Sequence, residues 1–212
     1  VKYRLNNIDV DYIISSGNVE QLIQDNSKVA FPQMISTERP DKAVNHLLEG
    51  RIAILVNGSP YCLIVPGVFI DFLSSPEDLN LKHQYSNLLK VIRFIATFIT
   101  LFLPGVYVAI MNYHTELVPT PLLFTIAASR NSVPFPIIFE ILLMEISFEL
   151  IREAGLRIPT PIGPTIGIIG ALVLGDAAVS ANLVSPVLIV IVALTGLCSF
   201  AIPDFSLNFT FR

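Results

Sequence analysis

The stretch FIATFITLFLPGVYVAIM, residues 94–111, runs for eighteen positions without a charge, and its polar side chains are Thr97, Thr100 and Tyr107. A helix of that length covers a hydrocarbon core ~30 Å thick. Lys82, Lys90 and Arg93 stand just before it, and a basic flank marks the cytoplasmic side of a span. The competing assignment is a buried helix of a large soluble core. What lies on either side decides against it: the residues before the stretch read as soluble, and nearly all after it as membrane. Residues 94–111 are therefore expected to form the first transmembrane helix of an integral membrane protein, kinked near Pro104-Gly105.

Composition supports this division. Of 212 residues, 53% are hydrophobic and 14% charged, with a mean hydropathy of +0.68. Ordinary soluble domains carry about 25% charged residues. Residues 1–93 hold nine Lys/Arg and ten Asp/Glu, whereas residues 94–212 hold four and seven. The join predicts two domains, a soluble one over 1–87 and a membrane one over 88–212. No basic patch points to nucleic acid. Cys62 and Cys198 fall on opposite sides of the join and are expected to stay reduced. The chain begins with Val1, shows no signal-peptide pattern and stops abruptly after an apolar segment, so it is expected to be a fragment lacking material at both ends.

In the first domain, VKYRLNNIDV alternates loosely and predicts a strand. Asn18 is the expected N-cap of a short helix over VEQLIQD. A second helix is better marked: Pro40 stands at a first-turn position, Val44, Leu47 and Leu48 form an apolar face, and Gly50 stops it. RIAILV and YCLIV around Asn57-Gly58 predict a β-hairpin. After Pro66-Gly67, VFIDFL predicts another helix, closed by SSPED. The order helix–hairpin–helix implies a small α/β or α+β layer. No Cys or second His stands at metal spacing from His46, which reads as a plain surface or interface residue. No glycine-rich phosphate loop follows a strand. Neither an enzyme nor a cofactor is expected.

In the second domain, residues 122–129 are too short to cross, and residues 133–151 are long enough but contain Glu140, Glu145 and Glu149. Glu145, Glu149 and Glu153 are four apart and share a helical face. Arg152 and Arg157 are spaced to pair with Glu149 and Glu153. The stripe is either the lining of a cation path or the wet face of an amphipathic helix at the interface. Residues 158–175 carry glycines at 163, 167, 170 and 175, and Gly163, Gly167 and Ala171 form a face on which helix backbones approach closely. Asp176 follows in a small polar loop, and residues 184–202 make a clear crossing. With about four crossings, Lys90, Arg93, Arg152, Arg157 and Arg212 fall on one side, with Arg130 as the one dissenter, which places the soluble domain in the cytoplasm. VPTPLLFTI (118–126) and IPTPIGPTI (158–166) echo each other, as paired helix entries do in transporters.

Five blocks carry a family resemblance: TERPDKAVNHLLEGRIAILVNGSPYCLIVP (37–66), FLSSPED (72–78), VPTPLLFTIAASRNSVPFP (118–136), LLMEISFELIREAGLRIPTPIG (142–163) and GALVLGDAAVSANLVSP (170–186). Together they resemble the A subunits of GerA-type spore germinant receptors, over nearly the whole chain. The resemblance implies a multi-pass protein of the spore inner membrane. It also implies association with a transporter-like B subunit, a lipoprotein C subunit and membrane lipid. A homo-oligomeric ring that conducts cations when germinant is sensed is implied too. The pore role falls by resemblance on GALVLGDAAV (170–179); Gly167 just before it, with Gly170, Leu174 and Asp176 in it, are candidate pore or gate positions, with Glu145 and Glu149 as a second set. A related spore protein, stage V sporulation protein AF, shares much of the pattern, and SSPED favours the receptor subunit. The alternatives are a non-conducting scaffold that assembles the germination complex and, more remotely, a secondary transporter.

Overall fold

The structure, a computed structural model, describes residues 1–26, 29–157 and 163–211. It is mainly helical, with one three-stranded antiparallel sheet. Internal contacts divide it into two units, Val1–Ile95 together with Ala201 onward, and Ala96–Phe200.

The first unit is built on the sheet. Strands β1 (Ile35–Thr37), β2 (Ile52–Leu55) and β3 (Cys62–Val65) run in the order β1-β3-β2, with Ile35 opposite Ile64 and Leu55 opposite Cys62. The expected hairpin is β2–β3. Its turn closes with a bond from the Ser59 N–H to the Val56 carbonyl, and Gly58 takes the φ of +84° that such a turn demands. With every pairing antiparallel, the layer is α+β and holds no parallel βαβ unit among the described residues. Strand β1 has no counterpart among the sequence-based expectations.

Helices α1 (Lys2–Asn6), α2 (Ser16–Ile23), α3 (Pro40–Leu48) and α4 (Phe69–Phe72) surround it. The expected strand over the first ten residues is instead α1. Leu5 of α1 and Ile8, which follows the helix, both pack against the cluster of Val19, Ile23, Met34 and Leu63. Helix α2 starts three residues earlier than expected: Ser15 is the N-cap and donates to Asn18 Oδ1 at 2.9 Å, so Asn18 lies inside the first turn. Helix α3 has Pro40 in its first turn and ends before Gly50, as expected. His46 is a correction. It is buried, with Nδ1 3.1 Å from Glu49 Oε2, because α3 turns it inward. The SSPED segment forms a 3₁₀ turn, Pro76–Asn80, in which Asp78 Oδ2 accepts the Ser75 N–H at 3.0 Å.

The unit's main core holds Ile35, Cys62, Ile64, Phe72 and Leu73, and also Ile202 and Leu207 from the far end of the chain. Helix α10 (Phe205–Thr210) supplies Leu207, which is fully buried. Asp204 caps this helix by accepting the Leu207 N–H, and Thr210 Oγ1 donates to the Ala30 carbonyl at 2.7 Å. Phe31 packs at 6.1–6.4 Å between ring centroids against Phe69, Phe72 and Phe211.

The second unit is helical throughout. Helix α5 (His83–Tyr113) starts in the first unit and contains residues 94–111, with Pro104 inside it. After it come α6 (Thr120–Arg130), α7 (Ile137–Arg157), α8 (Gly163–Ser180) and α9 (Pro186–Phe200). Among the described residues, α5 is the helix both long and apolar enough to cross a membrane, with a mean hydropathy of 2.2 over its best window. Helix α9 is apolar but has fifteen residues. Helix α7 is long enough but carries Glu140, Glu145, Glu149, Arg152, Glu153 and Arg157. The core of this unit gathers Tyr107, Ile137, Ile141, Met144, Ala178, Val184, Leu188 and Val192.

Candidate functional site

Helix α7 presents the acidic residues. Its spacing produces two of the expected ion pairs: Arg152 Nη2 bonds Glu149 Oε1, and Arg157 Nε bonds Glu153 Oε1 at 2.7 Å. The first is half-buried, whereas the second is exposed on both sides, so it contributes little. Glu145 meets a hydroxyl of α9: Thr195 Oγ1 stands 3.2 Å from Glu145 Oε1. Thr195 is itself 1% exposed, and its backbone carbonyl lies 3.5 Å from Thr100 Oγ1 of α5. Thr97, Thr100, Thr195 and Ser199 are all buried. Thr100, Thr195 and the Glu145 carboxylate thus form a short polar chain in an otherwise apolar packing.

The α8 positions fall differently. Gly170 lies against α7, where an added Cβ would meet Ile151 at 3.6 Å, an ordinary contact. Leu174 and Asp176 are exposed. At about 100° per residue, Gly167, Gly170 and Leu174 lie along one side of the helix, and Asp176 comes out roughly half a turn from Gly167. The close-approach face over Gly163, Gly167 and Ala171 concerns side-chain surroundings outside those described. Residues 158–162, with the start of the IPTPIGPTI echo, lie outside the described residues, as does Arg212. The tight seam that is described uses another glycine. At Gly196 of α9, a Cβ would come within 2.6 Å of the Phe148 ring of α7.

The most deeply buried charge among the described residues is Glu140, at 1% exposure. Its Oε1 accepts from Arg130 Nη2 at 2.8 Å and its Oε2 from the Ser185 N–H at 3.1 Å. Ser185 is fully buried and opens α9, where Ser185 Oγ lies 3.4 Å from the Leu188 N–H. The Tyr107 hydroxyl is buried beside Ser185. This knot joins α5, α6, α7 and α9, and no spacing rule exposes it, because Arg130 and Glu140 are ten residues apart across a turn. The signal that existed was Arg130's misplacement in the charge tally: a cation on the wrong side is accounted for once it has a buried partner.

In the first unit, the ionic contacts are structural. Arg51 donates to Asp71 Oδ1 at 3.0 Å and to the Pro66 carbonyl at 3.2 Å, and Asp71 Oδ2 accepts the Val68 N–H at 2.8 Å. Burial pushes the Asp71 carboxyl up, but the bonds from Arg51 and Val68 outweigh it and hold the group below its usual range. Burial pushes the Lys42 ammonium down and the Glu20 carboxyl up. Arg93 of α5 pairs with Asp78, both largely buried. Among the described residues no three His, Cys, Asp or Glu side chains gather closely enough to hold a metal ion, and Cys62 and Cys198 are free thiols.

The family described as Bacillus/Clostridium GerA spore germination protein matches residues 1–212. The chain is 48% identical over 212 residues to spore germination protein KA of Bacillus subtilis (strain 168), covering 100% of this chain and 39% of that protein. To spore germination protein A1 of the same organism it is again 48% identical, over 100% of this chain and 44% of the relative. An uncharacterized membrane protein, YfkQ, of the same strain is 45% identical over 211 residues, 100% of this chain and 41% of its own length. The chain thus spans about two fifths of the length of these relatives. No solved structure matches it. With the whole chain matched by the family and nearly half its residues shared with each of these relatives, the chain belongs to the GerA spore germination protein family.

Proposed function

We propose that the chain is part of a germinant receptor A subunit, a non-enzymatic membrane protein whose oligomer passes cations when a partner senses germinant. Residues 1–87 serve as its cytoplasmic domain and 88–212 as a bundle of about four spans in the spore inner membrane. Family membership supports the role in germination. The observation that carries the membrane assignment is α5, whose side chains Phe98, Leu101, Phe102 and Val106 are exposed although apolar. Such a surface is stable in lipid and costly in water. The B and C subunits are the proposed partners, on the role in germination that the family supports.

Conduction is proposed on chemical grounds. Glu145 beside the Thr195 hydroxyl supplies the oxygen ligands that a dehydrating cation needs. Asp176 and Leu174, being exposed on α8, are available to a neighbouring subunit. The test is cation flux from liposomes holding the full-length protein with and without B and C subunits. Flux that appears with germinant, and whose selectivity changes in Glu145→Gln or Asp176→Asn, supports a gated channel. Vesicles that stay tight despite confirmed assembly point to the scaffold instead.

A further inference from the structure

Glu140 is bound by two elements at once. One carboxylate oxygen holds the C-terminal end of α6 through Arg130 Nη2, and the other holds the first residue before α9 through the Ser185 N–H. Losing this single group frees both. A buried ion pair adds little net stability over a well-packed apolar replacement, but an arrangement that contains one is held to a narrow geometry. Arg130 Nε is buried and makes no hydrogen bond among the described residues, an unmet donor that weighs on this arrangement.

We propose that Glu140 is the latch of the closed helical unit: its release from Arg130 and from the α9 N-terminus is the step that lets α6 and α9 move independently. The latch rests on the channel reading only for its purpose, not for its existence. A partner opens it by favouring the state in which Glu140 and Arg130 are apart, and it shifts the equilibrium by no more than its difference in affinity for the two states.

The experiment uses the full-length protein in vesicles of phosphatidylglycerol and phosphatidylethanolamine, with no small molecule added. The variants are Glu140→Gln and the double Arg130→Gln/Glu140→Gln, which leaves no unpaired buried charge, with Glu153→Gln as the control in an exposed pair. Two quantities are read: hydrogen exchange of the segment 184–188, and cation leak. The expected result is exchange at the start of α9 faster by about tenfold or more in both latch variants, a leak raised severalfold, and neither change in Glu153→Gln. Exchange at 184–188 equal to wild type in the double variant overturns the latch. So does an equal loss of protection along α5 and α7, which marks a general stabiliser. If wild type and variants alike stay tight while exchange at 184–188 alone accelerates, conduction fails and the latch stands.

Discussion

Gly196 and Phe148 occupy the same space to the width of one atom. The ring of Phe148 lies where a side chain on Gly196 would begin, 2.6–3.1 Å from the position of its Cβ, so α9 approaches α7 only because residue 196 has no side chain.

Gly196→Ala is therefore expected to destabilise the helical unit by about 1–3 kcal/mol through overpacking. Phe148→Leu in the same chain should recover part of the loss by making room. Thermal denaturation of wild type, both single variants and the double in detergent checks this. A single Gly196→Ala that melts like wild type removes the seam.

Asp71 gives the first unit a predictable acid sensitivity. Its carboxyl is held below the usual range in the fold, so its contribution is complete above the unfolded value of about 3.9 and is lost as pH falls through the lower folded value. Stability should drop on acidification below about pH 4, and Asp71→Asn should flatten that drop while costing about 1–3 kcal/mol at neutral pH. Denaturant melts at stepped pH follow both.

Arg93 and Asp78 tie the SSPED turn to the beginning of α5, and Arg93 Nη1 also reaches the Leu73 carbonyl at 3.4 Å. Removing one partner takes the opposite charge away from a largely buried one. Asp78→Ala is expected to cost about 3–5 kcal/mol, and Asp78→Ala/Arg93→Met less than either single change. Melts of the three variants form the cycle.

Thr195→Val keeps the volume of the side chain and deletes its hydroxyl, which serves Glu145 and the carbonyls of Ile191 and Val192. A loss of about 0.5–1.5 kcal/mol is expected. On the channel reading, the same variant alters cation selectivity in liposomes. Ser147→Ala does not, because that hydroxyl bonds back to the Leu143 carbonyl of its own helix.

Local chemistry was legible in the sequence where it acts within a few residues. Asn57-Gly58 between two apolar runs specifies the hairpin, Pro40 and Gly50 bracket α3, and three- and four-residue spacings pair Arg152 with Glu149 and Arg157 with Glu153. Period and turn chemistry carry no information across elements. Glu140 was visible as a carboxylate in an apolar run, but its partners Arg130 and Ser185 lie ten and forty-five residues away. Strand β1 is three residues long, too short to show alternation, and exists because β3 offers it an edge. His46 looked solvated because α3 is polar on average; its burial depends on the direction α3 faces. Gly196 was one glycine in an apolar helix, and only the ring opposite gives it meaning.

Leu207 closes a core whose other members, apart from Ile202, were translated more than 130 residues earlier. The ribosome must deliver α5 to α9 before that hydrophobic cluster has its lid. During synthesis Ile35, Ile64, Phe72 and Leu73 wait with one side open, a stretch of time in which a chaperone or a neighbouring nascent chain competes for them. A gene cut after residue 95 would make that waiting state permanent, and its product should be sticky rather than merely less stable.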